Sequence, residues 1–188
     1  FSILDNNNEN IFNNFTNKGS ECLLNAVSGC LNFMKDSTLI FAPNHNSYDR
    51  FSTGAHAPTA INWGYENRTT AIRIPGGPDI AKRIEHRVAG GDANPYLVLA
   101  SILGAAINGM ESKMEPEEPI SGDGYNSGGV SIIKDWKKSI ECFSNSQQIK
   151  KIFDPLLIRS FVDCKKQELD YFKDKSYNHI IQTTINAI

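Results

Sequence analysis

The strongest constraint on the fold is a run of short β-type segments between positions 38 and 88, separated by turns that contain proline and glycine. Apolar, β-branched and aromatic residues concentrate at 39–42, 60–63, 70–74 and 83–88. Strands that follow one another so closely favour antiparallel pairing, because parallel strands ordinarily need long crossovers. The run therefore predicts a curved antiparallel sheet, with residues 1–4 as a further strand.

Helical patterns lie on both sides of these segments. Ser20 occupies an N-cap position before apolar residues at helical spacing, and Asn94 precedes Pro95 at another helix start. The apolar run 96–107 predicts a buried helix that Gly109 can close at its C-terminal end. Two more amphipathic helices are predicted from Trp136, Ile140, Phe143, Ile158, Phe161, Val162, Leu169 and Phe172. The predicted fold class is α+β, a curved antiparallel sheet backed by helices.

Composition excludes several classes of protein. Hydrophobic residues make up 40% and charged residues 21%, which is typical of a globular domain, and the net charge of −2 gives no reason to expect nucleic acid or a membrane as partner. The four cysteines are Cys22, Cys30, Cys142 and Cys164. They include no Cys-x-x-Cys pair, so we expect neither a zinc site nor disulfides. We expect them to be small core residues of a protein in a reducing, cytoplasmic compartment.

Arginine clusters within this slightly acidic chain, at Arg50, Arg68, Arg73, Arg83 and Arg87. Side chains alternate along a strand, so Arg83, Glu85 and Arg87 should share one face while Ile84, His86 and Val88 lie on the other. Such a face can bind anions through its guanidiniums and a hard metal through Glu85. The alternative is a solvated ladder of surface ion pairs, which contributes little.

Residue patterns alone leave other positions open. Arg68 and Arg73 are an odd number of residues apart, so a regular strand would place them on opposite faces unless a bulge redirects one. His56 in Gly-Ala-His-Ala-Pro and Tyr125 in Gly-Asp-Gly-Tyr-Asn are typical exposed loop residues. These patterns predict a pocket for phosphate or carboxylate, with arginines at a sheet edge as the alternative.

Five segments in order resemble the glutamine synthetase family: residues 42–51 (APNHNSYDRF), 63–69 (WGYENRT), 73–75 (RIP), 82–87 (KRIEHR) and 92–97 (DANPYL). The resemblance is clear over positions 40–110. Trp-Gly before Asn-Arg-Thr and the run 87–93 (RVAGGDA) are closest to the γ-glutamylpolyamine, or γ-glutamylputrescine, synthetase branch. The resemblance implies the catalytic-domain fold and an ATP-dependent ligase that joins the γ-carboxyl of glutamate to an organic amine through γ-glutamyl phosphate.

The same resemblance implies roles for individual residues. Mg²⁺ or Mn²⁺ and ATP would be required, with Glu85 as a metal ligand. Arg50 and Arg87 resemble arginines that bind the glutamate carboxylates and the transferring phosphoryl group, whereas those that line the ATP phosphates are Arg68, Arg73 and Arg83. The expected catalytic residues are Arg50, Arg68 and Arg87. His56 would contact substrate, because it occupies the position of a gating glutamate in ordinary glutamine synthetases.

The resemblance also implies that residues 1–188 are the C-terminal portion of a catalytic domain whose N-terminal part is absent. The other metal ligands would lie upstream, so we expect the chain alone to be inactive and the complete enzyme to form stacked rings. Three alternatives remain: an ammonia-using glutamine synthetase, a γ-glutamylmethylamide-type enzyme, and a catalytically silent ring subunit.

Overall fold

The computed structural model describes residues 1–16, 18–52 and 54–187. The α-helices of these residues are α1 Glu21–Met34, α2 Thr38–Phe41, α3 Pro95–Glu111, α4 Trp136–Asn145, α5 Pro155–Phe172 and α6 Tyr177–Ala187. The strands are β1 Trp63–Tyr65, β2 Ile72–Ile74 and β3 Glu85–His86, and 3-10 segments cover His45–Arg50, Asp79–Ala81 and Ile149–Lys151. Among the described helices, none combines the length and apolar character needed to cross a membrane.

The sheet is mixed and smaller than the predicted one. The strand order is β1-β2-β3; β2 and β3 pair antiparallel as predicted, but β1 and β2 run parallel, with Trp63 opposite Ile72 and Tyr65 opposite Ile74. Parallel pairing normally needs a long crossover. Here each strand has three residues, so the chain must return only about 7 Å, and the short connection 66–71 suffices.

Two predicted strands are wrong, and a third, 60–63, overlaps β1 only at Trp63. Residues 39–42 lie mostly in the short helix α2, where the Ser37 carbonyl accepts hydrogen bonds from the Ile40 and Phe41 amides at 2.9 and 3.2 Å. Every α2 side chain is buried, and an unbroken apolar run cannot distinguish a buried strand from a buried helix. Residues 1–4 form an isolated antiparallel bridge from Leu4 to Asn10 in place of a strand.

The predicted N-caps are confirmed. Ser20 accepts the Leu23 amide at 3.2 Å, and Asn94 Oδ1 accepts the amides of Tyr96 and Leu97 at 3.0 and 3.3 Å. The two predicted amphipathic helices are α4 and α5, while α6 has no counterpart among the predictions. Capping therefore fixes where α1 and α3 begin.

Gly109 does not end α3 as predicted, but lies inside it at the crossing with α1. A Cβ on Gly109 would lie 2.7 Å from Gly29 Cα, and closer still to the Asn25 carbonyl. The two helices thus touch backbone to backbone. The expected burial of the 96–107 run holds for one face only, because Tyr96 is 82% and Leu99 54% exposed.

All four cysteines are free, as predicted. Cys30 is buried in the core, where burial raises the pKa of its thiol to about 12. Cys22 and Cys164 are exposed, so the expectation of small core residues is wrong for them. Apolar residues from α1, α2, β2 and α4 form the core, including Leu23, Phe33, Leu39, Phe41, Ile72, Ile74 and Phe143.

We predict that Gly109→Ala destabilises the protein. Alanine favours a helix interior by about 1 kcal/mol over glycine, but the added methyl group must push apart two backbones, and such overpacking costs about 1–3 kcal/mol. Urea unfolding should give a lower midpoint for this variant. Gly104→Ala is the matched control, since the three atoms nearest to its methyl belong to the Ile152 side chain and not to a backbone. Equal midpoints for the two variants would contradict the close crossing.

Candidate active site

The carboxylate of Glu85 lies between the guanidiniums of Arg73 and Arg87 on the exposed face of β2 and β3. Glu85 Oε2 lies 3.1 Å from Arg73 Nη1, and Glu85 Oε1 lies 3.2 Å from Arg87 Nε. Ile84 and Val88 are buried on the opposite side, as the strand period requires. The predicted sequence of guanidinium, carboxylate and guanidinium is present, but Arg73 from β2 completes it in place of Arg83.

Arg83 lies at the edge of this face. Its side chain is exposed, and its Nη1 donates to the Ala81 carbonyl at 3.2 Å. His86 packs toward the core with its ring 4.7 Å from that of Phe41, and burial lowers its pKa to about 4. The imidazole is therefore neutral near pH 7, and the charges of this strand are confined to one face.

The turn between β1 and β2 places the Glu66 carboxylate against Arg73. Glu66, at φ 52°, accepts a short hydrogen bond from the Gly76 amide and lies 3.3 Å from Arg73 Nη2. That amide bond is the main cause that lowers the pKa of Glu66, and the charges of Arg73 and then Arg68 lower it further. Arg68 belongs to the turn rather than to a strand. The alternation of side chains along a strand, which would place Arg68 and Arg73 on opposite faces, therefore does not apply to it.

Arg50 is the last residue of the 3-10 segment His45–Arg50. Asp92, in the last of the motif segments, binds the start of this 3-10 segment. Asp92 Oδ2 accepts from Asn44 Nδ2 at 3.0 Å and, over a shorter distance, from the Ser47 hydroxyl. Ser47 Oγ in turn accepts the Asn44 amide at 3.0 Å. Asp92 therefore fixes the turn that carries Arg50, a role that the sequence analysis does not predict.

The guanidinium of Arg50 is partly buried against backbone and ring. Its Nη2 donates to the Phe41 carbonyl at 2.8 Å, and its Cζ lies 4.3 Å above the Phe51 ring. Burial lowers the pKa of Arg50, and the charge of Asp92 opposes that shift. Its Nε–H is buried without a partner among the described residues, and so is the Nε–H of Arg73. Leaving a buried donor unpaired costs about 1–3 kcal/mol.

The loop after Arg50 approaches Arg87. Arg87 Nη1 donates to the Thr70 carbonyl at 2.9 Å, and its Nη2 makes a long contact of 3.5 Å with the His56 carbonyl. His56 is exposed and has φ 60°, a conformation that histidine tolerates better than most residues. The structure thus places His56 beside the arginine cluster. Tyr125, expected to be exposed, is half-buried.

A metal would find one carboxylate of this cluster. Within 1–16, 18–52 and 54–187, no group of three or more His, Cys, Asp or Glu side chains could hold a metal ion. Glu85 is 41% exposed, and each of its oxygens has one arginine partner, so lone pairs remain. Mg²⁺ commonly takes one or two carboxylates together with phosphate oxygens and water. Glu85 therefore fits as one ligand of a site completed by other groups.

The structure thus brings most of the predicted site residues together. Arg73, Glu85 and Arg87 are directly linked, and His56 adjoins Arg87. Two residues that the sequence analysis missed, Glu66 and Asp92, organise the arginines from within the quoted motifs. Their motif positions were the only available signal, because the contacts that they make are long-range or depend on an unpredicted turn.

Known proteins match this chain along most of its length. The family model for the glutamine synthetase catalytic domain matches residues 1–183. The γ-glutamylputrescine synthetase PuuA of Escherichia coli K12 is 33% identical over 172 residues, covering 92% of this chain and 36% of that protein. The γ-glutamylethanolamide synthetase GlnA4 of Streptomyces coelicolor is 34% identical over 153 residues, covering 81% and 33%.

A solved structure shares the fold. Ligand-free GmaS superposes with a TM-score of 0.81 at 24% identity, covering 98% of this chain and 43% of that one. The chain spans about a third of the length of the curated relatives described above. Since the family model covers residues 1–183, the chain belongs to the glutamine synthetase catalytic-domain family.

Proposed function

We propose that the enzyme containing this chain joins the γ-carboxyl of glutamate to an amine, with conversion of ATP to ADP and phosphate. The observation that carries the proposal is the cationic face in which Arg73 and Arg87 lie on either side of Glu85. Phosphoryl transfer to a carboxylate gathers negative charge in one place, and fixed guanidiniums stabilise that charge. Family membership supports the same reaction.

In the proposed reaction the γ-carboxylate takes the γ-phosphoryl group of ATP, and ADP leaves. The amine nitrogen then attacks the acyl carbon, phosphate departs, and the nitrogen loses a proton. Arg50 and Arg87 would hold the glutamate carboxylates and the transferring phosphoryl group, while Arg68, Arg73 and Arg83 would line the ATP phosphates. A bound Mg²⁺ or Mn²⁺ would neutralise phosphate charge. Glu85 would hold that metal and, through its two ion pairs, keep Arg73 and Arg87 in place.

We further propose that the amine is an organic amine or polyamine. The support is His56, which lies beside Arg87 where ordinary glutamine synthetases carry an acidic gate. A carboxylate attracts ammonium and can accept its proton, whereas a neutral imidazole is a weaker anchor for a small cation and a protonated imidazole repels it. Similarity to PuuA and GlnA4 supports the same class. The proposal includes a cytoplasmic enzyme assembled into rings of identical subunits.

The first prediction concerns the chain by itself. The 188 residues span about a third of the relatives' length and supply one candidate metal ligand in the cluster described, so they should not complete the reaction alone. Phosphate release by the purified chain with Mg²⁺, ATP, glutamate and a primary amine should stay at background. The complete enzyme in the same assay is the control, and turnover by the chain would refute the prediction.

The second prediction concerns Glu85. Glu85→Gln keeps the shape but removes the charge, and we expect activity to fall at least ~100-fold, as commonly follows loss of a ligand or its support. The Mg²⁺ concentration for half-maximal rate should also rise. The matched control is Glu66→Gln, which weakens another ion pair of Arg73 outside β3 and should leave the metal requirement unchanged.

Near-normal turnover of Glu85→Gln would favour the surface ion-pair reading instead, in which the loss is at most ~1 kcal/mol of stability. A fall in activity with an unchanged metal requirement would assign Glu85 to bracing the two arginines and remove it from the metal site.

The third prediction concerns the amine. The complete enzyme should have a higher kcat/KM for a primary alkylamine than for ammonium, and His56→Glu should shift that ratio toward ammonium. His56→Gln is the control, because it carries a similar backbone cost at φ 60° without the negative charge. If the unaltered enzyme makes glutamine from ammonium more efficiently than any γ-glutamylamide, the polyamine-branch assignment fails and ammonia-using glutamine synthetase replaces it.

A further inference from the structure

A loop that follows α3, residues 117–127, is fastened to β1. The Glu117 carbonyl accepts the indole N–H of Trp63 at 2.7 Å, and the Ile120 amide donates to the Trp63 carbonyl at 2.8 Å. Trp63 is buried, so these two hydrogen bonds anchor the loop to the core. The loop is therefore held beside the turn that follows β1.

Asn67 joins the loop to this turn, residues 67–70. Its Nδ2 donates to the carbonyls of Ile120 and Gly122 at 3.1 and 2.8 Å. Its Oδ1 accepts the amide of Thr69 at 3.0 Å and the hydroxyl of Thr69 at 2.6 Å. An amide side chain offers two N–H donors and one oxygen with two lone pairs, and Asn67 uses all of them. One side chain therefore determines both the shape of the turn and its distance from the loop.

A second contact between loop and turn is made at Gly124. Its amide donates to Thr69 Oγ1 at 2.7 Å, and that hydroxyl donates in turn to Asn67 Oδ1. A Cβ on Gly124 would lie 2.9 Å from both the carbonyl oxygen and the hydroxyl oxygen of Thr69, closer than Cβ atoms come in real structures. The loop backbone thus packs directly on the turn and leaves no room for a side chain at position 124.

The turn supports two of the arginines. The hydrogen bond from the Thr69 amide to Asn67 spans Arg68, which places this arginine at the centre of an Asx turn. The Thr70 hydroxyl donates to the Asn67 carbonyl at 2.9 Å, and the Thr70 carbonyl accepts Arg87 Nη1 at 2.9 Å. A shift of the turn would therefore move the backbone of Arg68 and the support of the Arg87 guanidinium together.

We propose that Asn67 is a positioning residue for the proposed reaction, and that loop 117–127 sets the relative placement of Arg68 and Arg87 through Asn67 and Thr69. The inference rests on the proposed function, in which Arg68 lines the ATP phosphates and Arg87 binds a glutamate carboxylate or the transferring phosphoryl group. Asn67 acts here through the arginines, without touching a substrate. A misplacement of about 1 Å can cost about 100-fold in rate, so such an indirect role has a measurable effect.

The test is steady-state kinetics of the complete enzyme with Asn67→Ser. A serine hydroxyl can still accept the Thr69 amide, more weakly, but it lacks the two donors that reach the loop. We expect KM for ATP to rise at least about tenfold and KM for the amine to stay unchanged, because neither arginine is placed at the amine. Loss of folded enzyme would lower kcat alone, so an unchanged KM for ATP would overturn the inference.

Gly124→Ala tests the same connection from the loop without changing the sequence of the turn. Its methyl group must separate the loop from Thr69, and KM for ATP should again rise. Ser121→Ala, an exposed change in the same loop, is the matched control and should leave that KM unaltered. If Asn67→Ser does not fold, this pair still decides, since equal KM values for the two loop variants would contradict the inference.

Amide hydrogen exchange separates this inference from the proposed function. In Asn67→Ser the amides of Thr69 and Gly124 should exchange faster than in the unaltered enzyme, whichever substrates the enzyme uses. An unaltered enzyme without ATP-dependent phosphate release would contradict the proposed function, and the inference with it. Faster exchange in an active enzyme whose KM for ATP is unchanged would overturn the inference alone.

Discussion

The pairing of Glu85 with Arg73 and Arg87 is the interaction on which the arrangement of the cationic face depends. Two guanidiniums on adjacent strands repel each other unless a carboxylate separates them, and the antiparallel register of β2 and β3 sets Glu85 directly opposite Arg73. The buried side of the same strands supplies the stability that holds this register. Charge on one face and apolar packing on the other therefore depend on a single strand alignment.

Much of this could be predicted from local sequence. The alternation of residues 83–88 predicted the charged face and the buried face, and short polar N-caps predicted the starts of α1 and α3. These features depend on neighbouring residues only. The parallel pairing of β1 with β2, the helix α2 and the helix crossing at Gly109 were not predicted, because each depends on contacts between segments that local patterns do not specify.

The site shows the same division. The arginines and Glu85 could be predicted, because they are distinctive by residue type and by their resemblance to a family. The roles of Glu66 and Asp92 could not, because a carboxylate that accepts backbone amides or hydroxyl groups looks like any other acidic residue until the fold brings its partners close. Asp92, whose partner Asn44 lies 48 positions away, joins the two ends of the motif region.

The Phe41 carbonyl has a role that side-chain mutagenesis cannot test. It accepts both the Arg50 guanidinium at 2.8 Å and the Gly90 amide at 3.0 Å, so one main-chain oxygen at the end of α2 fixes a charged side chain and a distant loop. No side-chain substitution deletes a carbonyl. Alanine scanning would therefore report Phe41 as a packing residue and miss its polar role, which only altered backbone chemistry or a displaced helix end could expose.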